Sequence, residues 1–402
     1  MPLLGVFPEW EVEGKENAVR LRTVLILAVY HKHHKDVGSP PASLEYWRNR
    51  DTMITKEKFG TLHDGRIVTK YRITNHFGEY ADILNYGATL HALAVQDRAG
   101  TIADVLLGVD NAAELPGASG EGVIIGRNAN RIGKSYCVIE GKEYFFEPTE
   151  RGNFLHSGSG NYALKFFSVT ELSETALLLV YEDPGEGGFE GNVHVEVIYT
   201  FDDNHTLDIQ YRMIPNTTTI LNPTNHAYFN LGSYTDTRED TLWLFCGCYA
   251  PRSREGLPLG LKKPVAGTPY DFRMPKKLLE RTEADIPDPR LKAVDDFYCI
   301  DGAGYRKAAE LCCTQSGRIM ETWTDFPALV LFVPGFCAKR AGKGGITYPA
   351  YGGVCIECQY MPDAVNHTAF EIPVFHAGEA LEHRTTYRFR TDCGADREES
   401  TH

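Results

Sequence analysis

From about residue 53 the alternation of hydrophobic and polar positions predicts one short strand after another. Val193 to Thr200 alternates at period two, Asp202-Asp203-Asn204-His205 supplies a turn, and Leu207 to Met213 alternates again, so this stretch reads as a β-hairpin. Further β-rich runs lie at Ile67 to Ile73, Thr241 to Ala250, Ala328 to Val333, Gly353 to Tyr360 and Thr386 to Thr391. Ala81 to Val95 is a long, mostly apolar stretch that runs through Asn85-Tyr86-Gly87-Ala88. Amphipathic helices of three or more turns are scarce. Gly (38) and Pro (21) punctuate the runs and are not gathered into one linker, and no internal repeat is visible. Many short strands in a single block predict an all-β fold, a large antiparallel β-sandwich or barrel.

Composition changes this picture little. The 402 residues, 43% hydrophobic and 24% charged, exclude wholesale disorder. Length alone favours two or three domains of ~150 residues, yet the strands run on without a break. The net charge of −13 argues against nucleic acid or an anionic membrane as the main partner, because both need clustered Lys and Arg. Ten cysteines are too few for a disulfide scaffold, and several sit in apolar runs, a pattern expected of reduced thiols in the cytoplasm. Residues 1–52 differ from the rest and are expected to form an appendage. Their apolar run Val24 to Tyr30 has seven residues, against the ~20 of a membrane span, and lacks a convincing cleavage site. The cluster His31-Lys32-His33-His34-Lys35 reads as a solvated basic tract, since no carboxylate or Cys stands at ligand spacing. Translation from Met53 would give a shorter product. A β domain is expected over 53–394, followed by a polar tail at 395–402.

The chemistry-bearing positions are scattered. Gly353 to Gln359 contains Cys355-x-x-Cys358, but strand alternation sends these two side chains to opposite faces, against a redox pair or half a zinc site. Glu357, in the same apolar strand, is either a solvent-facing residue or a base in a partly dry pocket. His226 lies in Leu221 to Leu231 among Asn and aromatic residues, a setting that suits a core histidine or a hydrogen-bonding site with stacking surfaces. Arg127 and Arg131 of Gly126 to Gly133 would share one face if extended. His156 precedes a Gly-containing turn, and Asp295-Asp296 adjoin Phe297-Tyr298.

Taken in order, Asn85 to Ala88, Gly126 to Ile132, Leu155-His156, Thr224 to Leu231, Gly267 to Arg273, Asp295, and Glu357 through Asn366 resemble the galactose mutarotase (aldose 1-epimerase) family over about residues 60–392. The resemblance implies a large antiparallel β-sandwich that interconverts the α and β anomers of free aldoses such as galactose and glucose. It implies Glu357 as general base, His226 as general acid, and Arg131, His156 and Asp295 as hydroxyl-binding residues with Asn130 beside them. It calls for no metal or redox cofactor. Three departures stand out: Ser157 where the family commonly has Gly, Asp296 where it commonly has His, and Val330 where some members carry Gln. The alternatives are a non-catalytic sugar-binding module on the same fold and a glycoside hydrolase using Glu357 with Asp295.

Overall fold

A computed structural model describes residues 53–392 apart from 118–119, 233, 283–292 and 336–340. The N-terminal segment with its His cluster, Cys337 and the polar tail thus lie outside the described residues. The expected hairpin is present: Val193–Phe201 pairs antiparallel with Thr206–Pro215, Val193 opposite Pro215 and Phe201 opposite Leu207. It forms the third and fourth strands of a nine-stranded sheet that also holds Ala176–Asp183 on one side and Leu381–Thr391, Arg318–Thr324 and Arg306–Cys312 on the other. A five-stranded sheet runs in chain order from Ile54–Thr61 to Ile102–Asp104. A second five-stranded sheet has the order Lys263–Pro264, Cys248–Ala250, Val294–Cys299, Ala328–Val333, Cys355–Gln359.

Two long apolar stretches divide. Ala81 to Val95 becomes Tyr80–Leu84 and Leu90–Gln96. The Asn85 side chain accepts the Thr69 N–H at 2.8 Å, and Gly87 turns the chain at φ +68°. A β-carbon at Gly87 would lie 2.9 Å from the Ala163 carbonyl, so both conformation and space call for glycine there. Thr241 to Ala250 likewise splits, Thr241–Leu244 joining the nine-stranded sheet and Cys248–Ala250 the second five-stranded one.

Side chains from all three sheets meet in one core, with Ile83 and Leu93, Val195 and Tyr387, and Leu331 and Ile356 all buried in it. This is the sandwich that the alternating pattern predicts: each strand sends every second side chain inward. Among the described residues the α-helix is limited to Leu279–Thr282, and no helix is long and apolar enough to cross a membrane. The eight described cysteines are free thiols. Cys358 faces the core while Cys355 packs with Tyr228 and Tyr348 on the other side, as strand alternation requires.

Candidate active site

The second five-stranded sheet has one face in the core and one face that carries polar groups. Register places Asp295 opposite Phe332, and Phe332 opposite Cys355; Phe297, Val330 and Glu357 line up in the next row. Side chains of directly opposed residues project to the same side, so Asp295, Val330, Cys355 and Glu357 share the outer face. His226 reaches this face from the segment after Thr224–Asn225, where its own N–H donates to the Val123 carbonyl. Its ring stacks on Tyr228 with centroids 5.1 Å apart. Its Nε2 lies 3.5 Å from Glu357 Oε1, and its Nδ1 lies 3.7 Å from Cys355 Sγ.

Burial sets the charge of this pair. Glu357 is 2% exposed, and burial, reinforced by the negative charge of Asp295 and opposed by Arg131, pushes its carboxyl up to about 8. Burial also pulls His226 down to about 4, opposed by its backbone environment and by Glu121 and Asp295. Near neutrality the pair therefore holds one proton, on Glu357. Oε2 of Glu357 is buried without a hydrogen-bond partner, a group left for a ligand to satisfy.

The other expected residues surround the pair. The Asn130 N–H donates to His156 Nδ1 at 3.2 Å, which leaves the ring proton of neutral His156 on Nε2, and the rings of His156 and His226 meet edge-on at 5.6 Å. Burial holds His156 well below the ordinary histidine range. Asn130 Oδ1 accepts the Arg131 N–H at 2.9 Å. Arg131 Nε donates to Glu150 at 2.6 Å, and its Nη1 stands 3.6 Å from Asp295 Oδ2. Asn130, Arg131, His156, His226, Asp295 and Glu357 thus form one cluster.

Arg127 does not join it. Its guanidinium is buried against Asp183 at 2.9 Å and the carbonyls of Glu190 and Gly191, because the backbone between the two arginines does not hold the extended geometry under which they would share a face. Glu150 and Glu121 escaped the sequence reading: both sit in loops without periodicity, and only folding brings them to Arg131 and His226. His226, Cys355 and Glu357 place one ligand atom each within 4.8 Å of one another, an N, S, O set able to take a divalent ion such as zinc.

Each departure finds a structural setting. His156, Ser157 and Gly158 have φ of 51°, 62° and 52°, the left-handed region that favours glycine. Ser157 is fully buried, and its hydroxyl accepts the Asn128 N–H at 2.7 Å and donates to the Asn128 carbonyl at 3.1 Å, so it ties the loop down and does not fill the pocket. Val330 packs with Ala250, Phe297 and Met361 beside Glu357, an apolar neighbour that adds to the burial of the carboxyl. Asp296 points to the core side, where Arg281 binds it through two hydrogen bonds of 2.7 and 2.8 Å. Both side chains are fully buried, so Arg281→Met strands a charge and is expected to destabilise the fold by about 3–5 kcal/mol in urea unfolding. A loss under 1 kcal/mol would mean that Asp296 is already neutral.

Comparison with known proteins shows the family. The aldose 1-epimerase family model matches residues 69–388, a span that holds all six clustered residues. The chain belongs to the aldose 1-epimerase family. It is 32% identical over 345 residues to galactose mutarotase of Homo sapiens, covering 84% of this chain and 98% of that protein. It is 28% identical over 339 residues to aldose 1-epimerase of Escherichia coli, covering 81% of this chain and 96% of that one. Among solved structures, a GalM/aldose epimerase homologue from C. elegans superposes with a TM-score of 0.74 at 28% identity, over 80% of this chain and 98% of that chain. The galactose 1-epimerase of Lactobacillus acidophilus gives the same TM-score of 0.74 at 22% identity and supports the fold, over 85% of this chain and 99% of its own. As an aldose 1-epimerase family member the chain is an isomerase acting on carbohydrate.

Proposed function

We propose that this protein interconverts the anomers of neutral aldohexoses such as galactose and glucose, with Glu357 and His226 as the acid/base pair. The observation that carries the reading is that pair itself: two buried groups 3.5 Å apart that share one proton near neutrality. Glu357, as carboxylate, takes the proton of the anomeric hydroxyl, and the electrons of that O–H bond form the aldehyde. The bond from the anomeric carbon to the ring oxygen breaks, and His226 protonates the released oxygen. Rotation presents the other face of the aldehyde, and closure runs the same transfers backwards. The pair ends with the proton inventory it began with, so the chemistry consumes no oxidant or reductant. Arg131, His156 and Asp295, with Asn130, hold the remaining hydroxyls so the open chain stays in place.

The pair by itself keeps its proton on Glu357, whereas this direction of reaction needs it on His226. Burial is the larger cause of both shifts, and two contacts of the bound sugar work against it. A hydroxyl donating to Asp295 screens the charge that helps hold Glu357 up, and a ring oxygen accepting from His226 stabilises its protonated form.

The pH profile follows from the same inventory. Below about 4 both groups are protonated and no base remains; above about 8 both are deprotonated and no acid remains. A bell-shaped kcat/KM with limbs near those values is expected in polarimetry after subtraction of spontaneous mutarotation. A kcat/KM that keeps rising through pH 8 would mean that Glu357 works as a base without His226.

The decisive assay is polarimetry on freshly dissolved α-D-galactose and α-D-glucose, with a chromogenic glycoside in parallel. Acceleration of mutarotation supports the isomerase. Sugar binding without acceleration supports the binding module, and aglycone release supports the hydrolase. The reduced thiols and acidic charge support a cytoplasmic setting and a partner other than nucleic acid.

A further inference from the structure

Among the described residues, Arg252 is a buried charged group whose guanidinium nitrogens have no hydrogen-bond partner. It follows the strand Cys248–Ala250, which pairs with Val294–Cys299 so that Ala250 stands opposite Phe297. Two residues further along, the same register brings Arg252 beside Asp295, on the outer face. The turn after it, closed by the Ser253 N–H to the Leu257 carbonyl at 2.8 Å, lies against the pocket: a β-carbon at Gly256 would come within 3.0 Å of the Arg131 guanidinium.

Its side chain is 2% exposed, yet Nε, Nη1 and Nη2 are all buried without a hydrogen-bond partner. The nearest carboxylate oxygen, Oδ2 of Asp295, is 3.8 Å from Nη1, beyond hydrogen-bond range. Arg131 approaches the same oxygen from another side at 3.6 Å, also without bonding it. Asp295 therefore sits between two guanidinium groups and bonds neither, while a guanidinium with every donor unmet is a costly thing to bury. A ligand that donates to Asp295 and accepts from Arg252 satisfies both at once, which a hydroxyl does and a bare anion does not. Charge points the same way. Arg131, Arg252 and Arg281 are matched by Glu150, Asp295 and Asp296, so no surplus cation waits for a carboxylate or phosphate.

We infer that Arg252 is a further substrate-binding residue, donating to the oxygen of the neutral sugar hydroxyl whose proton Asp295 accepts. The inference rests on the mutarotase reading and deepens it, because it makes that one hydroxyl a determinant of which aldoses are accepted. Arg252→Met is expected to raise KM by about 10- to 100-fold with kcat changed less than threefold, in line with loss of a charge-assisted hydrogen bond.

The test is a cycle of Arg252→Met and Asp295→Asn against a panel of monodeoxy galactoses and glucoses, read by polarimetry. One deoxy sugar is expected to bind the wild type weakly and to abolish the KM penalty of both variants, since the hydroxyl they hold is gone. An Arg252→Met penalty equal for every sugar, or falling on kcat, would assign Arg252 a structural role and overturn the inference. So would galacturonate turned over faster than galactose by the wild type and not by Arg252→Met. If Arg252→Met does not fold, Arg252→Lys is scored by the same criterion. Wild type that accelerates no aldose overturns the mutarotase reading itself; wild type that accelerates while Arg252→Met keeps its KM overturns only the role of Arg252.

Discussion

Glu357→Gln is expected to lower kcat for galactose mutarotation by about 10²–10⁴-fold while KM moves less than threefold. Glutamine fills nearly the same volume in a strand with every residue buried, so the sheet has no reason to change. It can still hydrogen-bond a hydroxyl, but it cannot take a proton from one. On the proposed reading the sugar stays held by Arg131, His156 and Asp295, and these three do not depend on Glu357 for their position: Arg131 is fixed by Glu150, His156 by Asn130, and Asp295 by its place in the strand Val294–Cys299. Polarimetry under saturating sugar, with a thermal melt to confirm folding, measures the effect. A loss below tenfold would remove Glu357 from the proton transfers.

His226→Asn is expected to cost a comparable factor, again about 10²–10⁴-fold in kcat. The imidazole is held by stacking on Tyr228 at 5.1 Å and by edge contact with His156 at 5.6 Å, and asparagine in its place neither reaches the ring oxygen nor titrates. The double variant adds a sharper criterion. In the proposed cycle a proton is taken at Glu357 and one is delivered at His226, so once either group is lost the other has little left to do. Glu357→Gln combined with His226→Asn is therefore expected to cost about as much as the worse single variant. Losses that multiply would mean that the two residues act in separate steps.

The contrast between Glu357 and Arg252 shows where sequence reading succeeds. A carboxylate inside an otherwise apolar strand is a local anomaly, visible in the one-dimensional pattern, and motif order then gave it a family role. Arg252 sits in a turn rich in charged and small residues, where one more arginine draws no notice. Its burial is decided by the register between Cys248–Ala250 and Val294–Cys299, a pairing of segments nearly fifty residues apart. Arg127 shows where spacing stops being informative, because its shared face with Arg131 held only for an extended segment. Its spacing from Arg131 suggested a shared face, but the intervening backbone is not extended and Arg127 is committed to Asp183.

By itself the sequence determined the all-β class, the hairpin at 193–215, the opposite facing of Cys355 and Cys358, and, through motifs in order, the family; the six residues it singled out are ones the fold gathers into one cluster. These follow from period-two alternation and from short local patterns, both of which are written along the chain. Only the tertiary structure decided that Thr241 to Ala250 serves two sheets, that Ser157 ties a left-handed loop, that Asp296 pairs with Arg281 in the core, and that Asp295 lies between two arginines. The physical reason is that burial and charge balance belong to pairs of groups, and the partners here come from strands and loops far apart in sequence. A side chain's type is local, whereas its protonation and its unmet hydrogen bonds are set by whatever the fold packs against it.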